Sequence, residues 1–148
     1  MILLGHNITN SANIGGLLRL ADAFNVEKVV FTGNIGIDTR KVKKVSRNAH
    51  QFITWELAQS TMDLIQKFKS DKKSIIALEL NSEAIPIKSF KVPNPNNLVL
   101  IVGNEKDGIE NEILKECDSI IYIPMLGKNY SMNVTSATAI ALYELGSV

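Results

Sequence analysis

Cysteine and histidine are almost missing from this chain: Cys117, His6 and His50 are the whole supply among 148 residues. A disulfide framework and a Cys/His zinc site within one chain are both excluded, and a reducing compartment is expected. No charge sign dominates, since 16 basic residues face 15 acidic ones for a net +1, so any attraction for a polyanion must be local. No apolar run reaches the roughly 18 residues of a membrane span, and Met1–His6 carries no basic leader, which together predict a cytoplasmic protein. Neither Gly-x-Gly-x-x-Gly nor Gly-Lys-Ser/Thr occurs, which takes away the main sign of nicotinamide or ATP chemistry. Without a Gly-x-Ser-x-Gly elbow, hydrolysis by Ser131 with His6 or His50 as base has little to recommend it.

What is present is an alternation of short apolar runs with amphipathic segments, the pattern of one α/β domain over residues 1–148 with a parallel sheet flanked by helices. Strands are predicted at Ile2–Leu4, Lys28–Thr32, Phe52–Trp55, Ser74–Leu78, Leu98–Val102 and Ile120–Ile123, rich in Val and Ile as buried strands are. A helix capped by Asn13 carries Ile14, Leu17, Leu18, Ala21 and Phe24. A second carries Leu57, Thr61, Leu64, Ile65 and Phe68, and the last Val134, Ala137, Ala141, Leu142 and Leu145. Ser89–Asn97, with Pro93, Pro95 and three Asn, reads as a surface loop.

Three clusters put glycine, amide and ionisable groups where an apolar pattern stops, the usual place for ligands in such sheets. Asn13-Ile-Gly15-Gly16-Leu-Leu-Arg19 combines close-approach glycines with a cation, although a helix cap plus a surface arginine accounts for it equally. Val102-Gly103-Asn104-Glu105-Lys106-Asp107-Gly108 forces a tight turn after a buried strand and leaves Glu105 facing whatever crevice opens there; an ordinary charged connection is the plainer account. Ile123-Pro124-Met125-Leu126-Gly127 leads through Ser131, Met132, Asn133 and Thr135 into the last helix, offering more polar groups than one cap requires. Separately, Arg40, Lys41, Lys43, Lys44 and Arg47 crowd eight positions, either a solvated helix face or a phosphate-contacting patch.

In this order the clusters resemble the three motifs of the SpoU/TrmH family of SPOUT RNA methyltransferases: Asn13-x-Gly15-x-x-x-Arg19, then Val102-Gly103-Asn104-Glu105-x-x-Gly108, then Ile123-Pro124-Met125-x-Gly127 followed by Ser131-Met132-Asn133-Val134. Lys44–His50 is similar to the family's basic stretch between the second and third strands. The departures are mild: Lys106, Met132 and Thr135 stand where Gly, Leu and Ser are common.

The resemblance implies a carboxyl-terminal deep trefoil knot, which general topology rules would not suggest. It implies S-adenosyl-L-methionine (SAM) as cofactor, with Gly103, Asn104, Ile123, Met125, Gly127 and Met132 around it, and no metal. It implies Arg19, Asn13, Glu105, Ser131 and Asn133 as the catalytic group, Arg40, Lys41, Lys43, Lys44 and Arg47 as RNA contacts, and a homodimer acting on tRNA or rRNA at a ribose 2′-hydroxyl. Two alternatives stand beside it: an inactive RNA-binding module of the same fold, and an α/β enzyme acting on a small phosphorylated ligand.

Overall fold

The computed structural model describes residues 1–33, 36 and 38–146. The described residues form a sheet of seven parallel strands: β1 (Ile2–Gly5), β2 (Lys28–Thr32), β3 (Trp55–Ala58), β4 (Ser74–Leu78), β5 (Ile85–Pro86), β6 (Leu98–Val102) and β7 (Ser119–Tyr122). Their spatial order is β3-β2-β1-β6-β4-β7-β5. Helices α1 (Ser11–Ala23), α2 (Thr39–Ser46), α3 (Thr61–Ser70), α4 (Asn111–Leu114) and α5 (Val134–Gly146) cover it. The expected parallel α/β sheet is therefore present. Among the described residues no helix is long and apolar enough to cross a membrane.

Burial follows the sequence run by run. β1 and β6 lie side by side in the middle, and every residue of Ile2–Gly5 and Leu98–Val102 is buried, because helices cover both faces. The pleat splits β6 between two cores. Leu98, Leu100 and Val102 meet Ile14, Leu17 and Leu18 of α1 and Ala141, Leu142 and Leu145 of α5. Val99 and Ile101 point the other way, toward Ile65 and Phe68 of α3 and Ile113 and Leu114 of α4.

Several predicted boundaries shift, each for a local reason. The cap of α1 is Asn10, whose side chain accepts from the Ala12 N–H at 2.8 Å, so Asn13 lies inside the first turn rather than before it. β3 begins at Trp55, not Phe52, because Phe52 closes a 3-10 turn at Ala49–Gln51 with its N–H on Ala49 O. Leu57, expected on the face of α3, belongs to β3, the edge strand of the sheet, and is exposed. β7 starts and ends one residue earlier than expected. Two short elements escaped the pattern reading: β5, two residues with a proline at the sheet edge, and the four-residue α4. The basic run becomes α2, capped by Asp38, which accepts from the Arg40 and Lys41 N–H groups at 3.0 and 3.3 Å.

Gly15 and Gly16 seat α1 against two other helices. A Cβ at Gly15 would stand 2.8 Å from Val45 Cβ and 2.9 Å from Val42 O in α2, and one at Gly16 would stand 2.8 Å from Thr135 Cγ2 in α5. The close approach anticipated there is thus made by helices.

Gly15→Ala sets a helix-propensity gain of about 0.5–1 kcal/mol against overpacking of about 1–3 kcal/mol. Crowding prevails because one neighbour is backbone, which cannot rotate away, so urea denaturation is expected to show a net loss of about 1–2 kcal/mol.

Candidate active site

The chain leaves β1 toward β2 on one side and β6 toward β7 on the other, so the carboxyl ends of these adjacent strands diverge. Such a divergence is the usual place for a crevice in a parallel sheet; here the hollow lies beside it, over the carboxyl ends of β6, β4 and β7. Asn104, just past β6, ties the two exits together: its Nδ2 donates to Asn7 O at 2.8 Å, while its Oδ1 accepts from the Lys106 and Asp107 N–H groups at 2.7 and 3.3 Å. The loop closes when Gly108 N–H donates to Asn104 O at 2.9 Å. Gly103 has no room for a side chain, since its Cβ would stand 2.6 Å from Gly108 C, and Gly108 holds a φ of +66°.

Glu79, one residue past β4, braces this loop. Its Oε2 accepts from Ile109 N–H at 3.0 Å, and its Oε1 accepts from Leu80 N–H at 2.9 Å. Pattern reading overlooked it, although the rule that singled out Glu105, a carboxylate at the carboxyl end of a buried strand, applies equally to Glu79.

A crevice of ≈ 460 Å³ opens between this loop, the end of β7 and the segment entering α5. It falls in the ordinary size range for small-molecule sites. Its walls include Gly103, Asn104, Glu105, Ile123, Met125, Ser131 and Met132, all singled out in the sequence, together with Glu79, Tyr130 and the apolar Leu78, Val102 and Ile109. Gly127 is exposed and forms no part of the wall. Glu79, Glu105 and Asp107 face a single cation, Lys106, so the crevice favours a positively charged ligand.

Asn13 joins the three motifs. Its Nδ2 donates to Glu105 Oε1, and its Oδ1 accepts from Asn133 Nδ2 at 3.3 Å. Asn133 in turn caps α5, accepting from Thr135 N–H at 2.8 Å and from the Thr135 hydroxyl. The cap uses its oxygen and the site uses its nitrogen, so both readings of the third cluster hold. Arg19 lies elsewhere: it is exposed, lines a separate hollow between α1 and α5 with Gly16 and Ser136, and has no hydrogen-bond or ion-pair partner among the described residues.

His6, His50 and Cys117 line neither hollow. His6 is 4% exposed, with Nε2 at 2.5 Å from Glu110 Oε2 and Nδ1 at 2.7 Å from Thr61 Oγ. His50 Nδ1 lies 2.8 Å from Ser46 Oγ. Neither bonds to Ser131. Burial, aided by the adjacent Asp118 carboxylate, pushes the Cys117 thiol up to about 12, which leaves no thiolate at neutral pH.

The sequence profile of the SpoU rRNA Methylase family matches residues 1–143. Over 144 residues the chain is 29% identical to a tRNA (guanosine(18)-2′-O)-methyltransferase of Aquifex aeolicus, covering 97% of this chain and 67% of that relative. The crystal structure of an A. aeolicus TrmH/SpoU tRNA modifying enzyme superposes with a TM-score of 0.86 at 28% identity, covering 98% of this chain and 73% of that one. An AdoMet-bound rRNA methyltransferase from Sinorhizobium meliloti shares the fold, with a TM-score of 0.90 at 22% identity over 97% of this chain and 54% of its own. The chain spans little more than half the length of several other curated relatives it matches.

Glu79→Gln replaces one of the two backbone-accepting oxygens with a donor amide, and the loop at 103–109 is expected to exchange its amide hydrogens at least tenfold faster, read by mass spectrometry, because a lost charge-assisted bond is worth about 1.5–3 kcal/mol. Cys117 is expected to resist a thiol reagent at pH 8 in the folded protein and to react promptly once unfolded in urea, read by absorbance.

Proposed function

Because the chain belongs to the SpoU rRNA Methylase family, we propose that it forms the SAM-dependent methyl-transfer unit of an RNA ribose 2′-O-methyltransferase acting on tRNA or rRNA. One observation carries the reading: Asn13, Glu105 and Asn133, one from each motif, form a continuous hydrogen-bonded chain at the edge of a ligand-sized crevice. The crevice also suits the cofactor chemically. A sulfonium and an ammonium outnumber one carboxylate on that molecule, and Glu79, Glu105 and Asp107 supply the complementary charge.

When bound, SAM supplies an activated methyl group. The chain's own residues have three duties: to hold the cofactor, to hold the ribose in line with it, and to ease loss of the hydroxyl proton. Gly103, Asn104, Ile123, Met125 and Met132 serve the first as crevice walls. Asn13, Glu105 and Asn133 serve the second by fixing the relative positions of α1, the β6 loop and α5, with Ser131 at the crevice wall presenting a hydroxyl. Arg19 serves the third. A guanidinium stays protonated near neutral pH, so its assigned role is to clamp a phosphate or to stabilise the negative charge that develops on the 2′-oxygen as its proton passes to water, rather than to act as base.

The family also motivates two finer features of this proposal, a carboxyl-terminal trefoil knot and a homodimer. Ile140 of α5, next in the chain to Ala139 of the Arg19 hollow, is an exposed large apolar side chain, and covering it with a second copy would remove apolar surface from water. Arg19, absent from the crevice of its own chain, then serves a cleft that two copies build together. Exposed Arg40, Lys41, Lys43, Lys44 and Arg47 provide phosphate contacts. That basic helix favours RNA over a small phosphorylated ligand, which would leave five cations idle.

The protein incubated with labelled SAM and total tRNA or rRNA is expected to create nucleotides resistant to alkaline cleavage, because a methylated 2′-oxygen cannot attack the neighbouring phosphate. Base methylation without alkali resistance would overturn the reaction class. Arg19→Ala should lower kcat/KM by about 10²-fold, in line with loss of one electrostatic contact to a transition state, while calorimetry finds SAM affinity unchanged. Full activity in that variant would remove Arg19 from the catalytic group.

A further inference from the structure

Phe52 is 73% exposed, yet the backbone beneath it is firmly held. Its N–H and that of Ile53 both donate to Ala49 O, at 2.9 and 3.1 Å, and Ala49 is buried. His50, paired with Ser46 at 2.8 Å, pins the same turn to the end of α2. The turn is reached through two successive left-handed residues, Arg47 at φ 47° and Asn48 at φ 73°, a conformation that asparagine tolerates and arginine adopts reluctantly. A lone exposed aromatic is commonplace. A rigidly mounted one directly after a cationic helix is less so.

The segment that carries it is strongly cationic. Residues 38–52 hold Arg40, Lys41, Lys43, Lys44 and Arg47 against one acid, the capping Asp38, which lies 3.9 Å from Arg40, a local +4. The whole chain is +1, so the rest carries a net −3. Val42 and Ser46 turn inward while all five cations are exposed, and the inward face is seated on Gly15 of α1, in the helix that carries Asn13 and Arg19. A cationic track ending on an aromatic face matches the demands of a single nucleic-acid strand, whose phosphates need neutralising and whose unpaired bases expose π-faces. A paired duplex keeps its bases stacked internally and offers Phe52 nothing.

We infer that α2 and Phe52 together form a binding site for unpaired RNA, with the cations of α2 holding phosphates and the Phe52 ring stacking on a base. The site thereby selects loop or single-stranded nucleotides over helical ones. This rests on the proposed RNA methyltransferase activity and specifies the kind of RNA presented to it.

The test measures affinity of the intact protein, by fluorescence anisotropy, for a 12-nucleotide unstructured RNA and for a 12-base-pair RNA duplex. Phe52→Ala should weaken the single strand about tenfold and leave the duplex unchanged. Phe52→Trp should restore the single-strand affinity, and Phe52→Leu, apolar but without a π-face, should not. Lys43→Ala with Lys44→Ala should weaken both RNAs and lower the salt dependence of each by about two counterions. An unchanged melting temperature in the Phe52 variants confirms that folding is intact. Single-strand affinity unaffected by Phe52→Ala, equal losses for strand and duplex, or full rescue by leucine would each overturn the stacking site. Wild-type protein that still methylates RNA in any of those cases leaves the proposed activity standing; wild-type protein that neither binds these RNAs nor transfers methyl to any RNA removes both.

Discussion

A buried primary amide must have a partner for its N–H groups and another for its oxygen, and Asn13, 9% exposed in the first turn of α1, meets that requirement with side chains distant in sequence. Glu105 takes its N–H, and Asn133, reaching across from the entry to α5, supplies the other bond. Leaving either half of such an amide unpaired costs about 1–3 kcal/mol, so the β6 loop and the start of α5 are held to α1 by a polar necessity rather than by apolar contact alone. The crevice lies beyond this linkage, its shape set by the groups so held.

Close backbone approach is the second constraint. Gly15 and Gly16 let α1 settle against α2 and α5, and Gly103 lets the β6 loop fold back upon Gly108. Glu79 then receives the amide end of that loop from the neighbouring strand. Gly16 brings the start of α5, and with it Asn133, close to α1, while Gly15 brings the cationic α2 against the same helix, so the proposed recognition of a polyanion and the proposed chemistry are both mounted on α1. Such mounting suits a reaction that needs the substrate's phosphate and its sugar oxygen registered together.

The legible parts of the fold were those governed by local physics. Leu98–Val102 reads as a doubly covered strand because the apolar run is short, contains Val and Ile, and lies between a Pro/Asn loop and Gly103, and the last helix reads as amphipathic from Val134 to Leu145. The edge was less legible. Phe52-Ile-Thr-Trp55 has strand composition, but a buried Ala49 carbonyl captured two N–H groups and turned it into a 3-10 exit. Leu57 joined a helical pattern by spacing alone and proved to be an exposed residue of an edge strand.

For the candidate site, each of the three clusters alone has an ordinary structural account, and it was their order and spacing, through the resemblance to a family, that marked Gly103, Asn104, Glu105, Ile123, Met125, Ser131 and Met132 of the crevice wall. Tertiary structure decided the rest. It showed Asn13 to be a linchpin rather than a cap, added Glu79, set Gly127 and Arg19 apart from the crevice, and left Phe52 in solvent beside a row of cations. Each of these depends on which distant segments meet, and hydrogen-bond partners 92 or 120 residues apart leave no trace in local periodicity.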